Sequence, residues 1–128
     1  MYTDDMPGGK KILIIEPDSG LNGLICDALR DASYDPVPCA PEQAVALAVE
    51  LSASAIIAAL SSSALESSPL CRALRLDPRT KAIALVVITG RGDTTIRRRL
   101  GDKPAHVLFK PFELEALVQT VALALGGA

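Results

Sequence analysis

The sequence lacks the residues and runs that several large classes of protein depend on. It has no tryptophan and only two phenylalanines and two tyrosines, so it offers no aromatic platform on which nucleic-acid bases could stack. No apolar run approaches the roughly 18 residues of a membrane-spanning helix, and the acidic first ten residues contain no apolar signal segment. We therefore expect a cytoplasmic protein that neither enters a membrane nor binds nucleic acid directly.

Cysteine is scarce as well. Cys26, Cys39 and Cys71 are odd in number, widely spaced and set among apolar residues, which favours reduced thiols over disulfides or a zinc site.

The single histidine, His106, adjoins a predicted strand, where we interpret it as structural. The sequence contains no GxGxxG, P-loop, HExxH, paired CxxC or GxSxG motif, which disfavours nucleotide-binding, metal-dependent and hydrolytic enzymes.

Charge is balanced, with 13 basic and 15 acidic residues and a net charge of −2, so no overall field draws the chain to an anionic polymer or membrane. A local exception is the run Arg97, Arg98 and Arg99. On a helix these three side chains would fan over about 200° rather than share one face, so a solvated surface is the default interpretation and an acidic partner the alternative.

What the sequence does contain is a regular alternation of strand and helix patterns. Strands are predicted in KILIIE (11–16), SYDPVPC (33–39, short and at an edge because of its prolines), SAIIAAL (54–60), KAIALVVIT (81–89) and AHVLFKPF (105–112). A helix pattern follows each strand, and the first and last have apolar stripes at Leu21, Leu24, Ile25, Ala28 and Leu29, and at Leu114, Leu117, Val118, Val121 and Leu125. Continuously apolar strands separated by helices predict a parallel sheet covered on both faces. We expect one domain over residues 10–125, a loose tail over 1–9, and a tail or linker over 126–128.

Polar side chains recur where the predicted strands end. Glu16 and Asp18 follow the first strand, Thr89 ends the fourth and Lys110 ends the fifth. Because parallel strands share one carboxyl edge, where α/β proteins bind ligands, we expect these four residues to lie near one another.

The order of these motifs resembles the receiver domain of bacterial two-component response regulators, over residues 10 to about 125. The segments ILIIEPD (12–18), ITG (88–90), LCRALR (70–75) and FKPFELEALVQTV (109–121) carry the resemblance. It implies a flavodoxin-like, or CheY-like, doubly wound sheet of five parallel strands in the order 2-1-3-4-5, with five helices. It also implies a phosphorelay signalling module rather than an enzyme.

In that family an aspartate ending the third strand accepts a phosphoryl group with the help of Mg²⁺. The resemblance places the acceptor position on Ala59 and the second acid of the metal site on Pro17, which leaves Glu16, Asp18, Thr89 and Lys110 as a degenerate pocket. We therefore predict no phosphorylation of aspartate and weak or absent Mg²⁺ binding, with no other cofactor.

The predicted role is that of a pseudo-receiver acting through protein contacts or dimerisation. Its partners would be a histidine kinase, a phosphotransfer protein or an output domain. In the family, the surface of the fourth helix, fifth strand and fifth helix is the usual output face. Here that face would include Ile96, Arg97, Arg98, Arg99, Val107, Leu114 and, in part, Leu117.

Two alternatives stay open at this point. The chain could be an active receiver with an unconventional acceptor among Ser61, Ser62 and Ser63. It could instead be a small-molecule-binding domain on the same scaffold.

Overall fold

Five parallel strands form a single sheet at the centre of the molecule. A computed structural model describes residues 9–60, 73, 76–90 and 106–126. The strands are β1 (Lys11–Ile15), β2 (Asp35–Pro38), β3 (Ala55–Ala59), β4 (Ala84–Gly90) and β5 (His106–Lys110). They lie in the order β2-β1-β3-β4-β5 and every neighbouring pair is parallel, which confirms the predicted class and strand order.

The composition of each strand matches its place in the sheet. β1, β3 and β4 occupy the middle, and their apolar residues are almost completely buried, as expected for strands that are covered on both faces. Among the described strands, β2 has β1 as its only neighbour in the sheet. Pro36 and Pro38 are tolerated there because an edge strand does not need every backbone N–H for pairing.

Three α-helices are described: α1 (Ser19–Asp31), α2 (Ala44–Glu50) and α3 (Leu114–Ala124). A short 3₁₀ turn over Pro41–Gln43 leads into α2, with proline at the first position of a helical segment, where its missing N–H costs nothing. The predicted third helix (67–76) is described only at residues 73 and 76, both helical. The predicted short fourth helix (91–104) lies outside the described residues, so the count of five helices remains a prediction.

The helices cover both faces of the sheet and create two cores. Ile25, Leu29, Leu117 and Val121 pack from α1 and α3 onto one face, and α2 covers the other face with small side chains such as Ala44 and Ala48. Because side chains alternate along a strand, neighbouring strand residues belong to opposite cores.

The predicted inner stripe of α1 is wrong at one position. Leu24 is 54% exposed, whereas Ile25 is completely buried. The two side chains point about 100° apart around the helix axis, and the buried arc centres on Ile25 and Leu29, with Cys26 on its far side. Leu24 therefore lies outside that arc.

Candidate functional site

Glu16 is the most deeply buried acid among the described residues. It directly follows β1, and only 1% of its side chain is exposed. Its Oε2 accepts a hydrogen bond of 3.0 Å from the backbone N–H of Asp18, and its backbone carbonyl accepts one of 3.1 Å from Asn22 Nδ2. Glu16 is thus tied to the start of α1 through both its side chain and its main chain.

The positive partner of Glu16 comes from the opposite part of the sheet. Lys110, the last residue of β5, places Nζ 2.9 Å from Glu16 Oε1. The contact is an ion pair without hydrogen-bond alignment, since Oε1 accepts no hydrogen bond within the described part of the chain. The Lys110 side chain is 38% exposed, so its ammonium remains partly hydrated while it neutralises a carboxylate that water does not reach.

Asp18 has a different role from the one expected of a pocket acid. Its side chain is the N-cap of α1, where Oδ1 accepts a 3.0 Å hydrogen bond from the N–H of Leu21. This bond satisfies one of the backbone donors left free at a helix start. Asp18 is exposed, and the structure connects it to Glu16 only through its backbone.

Asn22 belongs to this network and was not identified from the sequence. Besides its bond to Glu16, its Oδ1 lies 3.4 Å from the Cys26 thiol, which donates to it. Burial raises the pKa of Cys26, which keeps it a neutral donor rather than a thiolate nucleophile at neutral pH. The only sequence signal is spacing, since Asn22 lies four residues, one helical turn, before Cys26.

An open groove of about 460 Å³ runs beside this network. Its lining comes from the end of β1, the exposed side of α1 and the end of β2: Glu16, Pro17, Ser19, Asn22, Gly23, Cys26, Asp27, Arg30 and Pro38. Asp27 and Arg30 form an exposed ion pair of 3.3 Å at one side.

The carboxyl end of β3 lies level with Glu16. Ile15 pairs with Ala58, so Glu16 and Ala59 come next on their two strands. Ala59 follows the alternation of Ala55 and Ile57, which face α1 and α3. Glu16 and Lys110 follow the same alternation as Ile14 and Leu108, which also face α1 and α3. The structure therefore presents a methyl group on the face of the Glu16–Lys110 pair.

Thr89 lies at the same carboxyl edge of the sheet as Glu16 and Lys110, but strand alternation places its side chain on the other face. It pairs with Phe109 in register, and its alternation follows Leu85 and Val87, which belong to the core under α2. Only 3% of the residue is exposed. Of the four predicted pocket residues, the structure thus brings Glu16 and Lys110 into direct contact, connects Asp18 to them through the backbone, and leaves Thr89 on the opposite side of the sheet.

Sequence comparison finds relatives over nearly the whole chain. A protein of Rhizobium etli described as a probable chemotaxis protein CheY is 25% identical over 119 residues, which cover 91% of this chain and 92% of that protein. The DNA-binding dual master transcriptional regulator RpaA of Synechocystis is 31% identical over 122 residues. This chain spans about half of that regulator, 48% of its length. No family model matches the sequence.

Solved structures with the same fold agree with these relatives. A protein of Chloroflexus aurantiacus classified as a response regulator superposes with a TM-score of 0.78 at 25% identity, over 92% of this chain and 98% of the other. The chain is a CheY-like receiver domain. Its general function is accordingly that of a receiver-domain signalling module.

Another structural neighbour was crystallised with a bound metal ion. The receiver domain of the sensor histidine kinase PA1611 from Pseudomonas aeruginosa, 21% identical with a TM-score of 0.74 over 92% of this chain and 98% of that one, was crystallised with a magnesium ion coordinated in its active-site cleft. At this identity the likeness establishes the fold alone.

The donor set of the present receiver domain does not fit such an ion. Within residues 9–60, 76–90 and 106–126, no three histidine, cysteine, aspartate or glutamate side chains converge into a possible metal site. Glu16 has an ammonium on one oxygen and an N–H on the other, and Asp18 caps a helix. Mg²⁺ requires near-octahedral oxygen ligands, which this arrangement does not provide.

The predicted output face needs correction where the structure describes it. Leu117 has no exposed surface and packs against the sheet in the core under α3, so it cannot contact a partner in this conformation. Val107 is only 9% exposed and belongs to the opposite core. Leu114 is half-buried. Ile96 and Arg97, Arg98 and Arg99 lie outside the described residues.

No helix within the described ranges is both long and apolar enough to cross a membrane.

Proposed function

We propose that this receiver domain signals without phosphorylation of an aspartate and acts through contacts with partner proteins. The observation that carries the proposal is the residue at the carboxyl end of β3. Ala59 is the last residue of that strand, at the position that the family resemblance gives to the phosphoacceptor. An alanine methyl has no lone pair with which to attack a phosphoryl group, so the nucleophilic step of a receiver lacks its reagent here.

The neighbouring charges support the same proposal. In the family the lysine that ends the fifth strand holds the acyl phosphate. Here Lys110 instead lies 2.9 Å from Glu16, and no carboxylate at position 59 competes for it. The pair neutralises itself and needs neither a phosphoryl group nor a metal ion to balance it.

A receiver that takes up no phosphoryl group needs another ligand to shift the equilibrium between its two conformations. A two-state domain is shifted only by a ligand that binds its two conformations unequally. We propose that a partner protein supplies this difference: a histidine kinase, a phosphotransfer protein, an output domain or a second copy of the chain. The proposed contact face keeps the half-buried Leu114 of α3 and the predicted positions Ile96, Arg97, Arg98 and Arg99. We propose that these contacts are made in the cytoplasm and without direct contact to nucleic acid.

The test is transfer of labelled phosphate from acetyl phosphate to the wild-type chain in the presence of Mg²⁺, with an active receiver as a positive control. The expected result is no incorporation above that of the heat-denatured chain. Label that hydroxylamine removes would be an acyl phosphate and would overturn the proposal. Label that resists hydroxylamine but is released by alkali would instead support the alternative acceptor among Ser61, Ser62 and Ser63.

The groove beside α1 favours a second candidate function, that of a small-molecule-binding domain. Its volume of about 460 Å³ falls in the size range of ligand sites, and it presents both a carboxylate and a guanidinium at its side. A ligand that binds the folded state raises the melting temperature as its concentration exceeds Kd. A panel of nucleotides and second messengers that leaves the melting temperature flat would remove this candidate.

A further inference from the structure

The ammonium of Lys110, at the end of β5, lies beside the buried carboxylate of Glu16 at the carboxyl edge of the sheet. Glu16 is the only carboxylate among the described residues whose side chain is almost completely shielded from water, with 1% exposed. A buried carboxylate without a compensating charge is costly. Within the described chain, Lys110 Nζ is the cation that approaches it, at 2.9 Å.

The two carboxylate oxygens of Glu16 have different partners that offset the cost of burying its negative charge. Oε2 receives the backbone N–H of Asp18 at 3.0 Å, at the start of α1. Oε1 accepts no hydrogen bond among the described residues and faces only the lysine charge. The lysine charge is therefore what compensates Oε1.

We propose that Lys110 takes the place of the divalent cation at Glu16, so that the domain is held together at its carboxyl edge by a built-in charge and does not respond to Mg²⁺. The inference deepens the proposed function, since a domain that takes up no phosphoryl group has no use for the metal. The pair joins the end of β1, and through Asp18 and Asn22 the start of α1, to the end of β5.

The experiment is a thermal-unfolding cycle on the whole chain, with and without 10 mM MgCl₂ (about tenfold above a Kd of 1 mM) at matched ionic strength. A site with that Kd would shift the folding equilibrium about elevenfold. The expected wild-type result is no shift with Mg²⁺. A wild-type melting temperature that rises with Mg²⁺ would overturn the inference.

The variants test whether the lysine acts through Glu16. Lys110→Met is expected to lower the melting temperature by about 5 °C, because it strands the buried carboxylate. In the background of Glu16→Gln, which keeps an acceptor for the Asp18 N–H but removes the charge, Lys110→Met is expected to cost less than half as much. An equal cost in both backgrounds would mean that Lys110 does not compensate Glu16 and would contradict the inference.

Two features keep the outcome interpretable. If Lys110→Met does not fold, Lys110→Gln removes the charge with a shorter polar side chain and gives the same comparison. Failure of this cycle is also distinct from failure of the proposed function, because phosphate incorporation and Mg²⁺-dependent stability are measured separately.

Discussion

The carboxyl ends of β1 and β3 are neighbours in the sheet, yet they differ in almost every chemical respect. At the end of β1, Glu16 is buried, charged and held by a lysine, a backbone N–H and an asparagine amide. At the end of β3, one position across, Ala59 presents a half-buried methyl group. The backbone continues the same parallel register through both strands.

The difference shows that the scaffold of a site and its chemistry are separate properties. The sheet needs apolar residues in the body of each strand to form its two cores, and both strands provide them. Glu16 and Ala59, at the carboxyl ends of these strands, are not members of those cores, so they can change without loss of the fold. Under the proposed function, Lys110 balances the charge at the end of β1, and Ala59 at the end of β3 offers no phosphoacceptor.

The largest effect should come from the body of β3 rather than from its end. Ile57 is completely buried under α1 and α3, so Ile57→Ala should lower the free energy of unfolding by about 3 kcal/mol. Denaturant unfolding measures this, with the exposed Leu123→Ala as the control, expected to change stability by less than about 0.5 kcal/mol. Similar losses in the two variants would contradict the described core.

Removing the charged end of β1 should have the next largest effect. Glu16→Ala strands Lys110, leaves the Asp18 N–H without its acceptor and opens a cavity. Because Lys110 is partly hydrated, the loss should be about 2 kcal/mol, below that of a fully buried pair. The exposed Glu115→Ala is the matched control, and a Glu16→Ala variant as stable as this control would refute the network.

The helix cap beside Glu16 should contribute less. Asp18→Ala removes the oxygen that accepts the Leu21 N–H and should cost about 1 kcal/mol. Asp18→Asn keeps a capping oxygen and should recover most of that stability. If both variants lose the same amount, the carboxylate charge rather than the cap is what matters, and Asp18 belongs to the charged site after all.

The smallest effect should come from the end of β3. Ala59→Ser adds one hydroxyl at a half-buried edge position and should change the free energy of unfolding by no more than about 0.5 kcal/mol. Its neighbour Ala58 is completely buried, so Ala58→Ser should cost about 1 to 2 kcal/mol through its buried hydroxyl. Equal costs at both positions would place Ala59 in the core and remove the contrast between the two strand ends.

The sequence predicted the strands well because burial on both faces leaves a strong signal. The apolar runs of β1, β3 and β4 identified three central strands, the prolines of β2 identified an edge strand, and the family resemblance supplied the strand order. Side-chain partners were harder, since pairing depends on tertiary geometry. The sequence placed Glu16, Asp18 and Lys110 at one edge of the sheet, and the fold shows that Lys110 pairs with Glu16 while Asp18 caps α1.

The predicted output face was also partly wrong, because the sequence did not show which apolar residues are buried. Leu117 belongs to an apolar helical stripe, and such a stripe marks the buried side of a helix before it marks a contact surface. The role of Asn22 could not be predicted, because no motif distinguishes an asparagine that donates a hydrogen bond to a strand end from one that faces water.

The most direct measurement is a gain-of-function series for phosphate uptake from acetyl phosphate and Mg²⁺, in the wild type, Ala59→Asp, Pro17→Asp and the double variant. We expect no label in the wild type or in Pro17→Asp, and hydroxylamine-sensitive label in the double variant, where a nucleophile and a second metal ligand are restored. Hydroxylamine-sensitive label in the wild type would contradict the proposal that the end of β3 accepts no phosphoryl group.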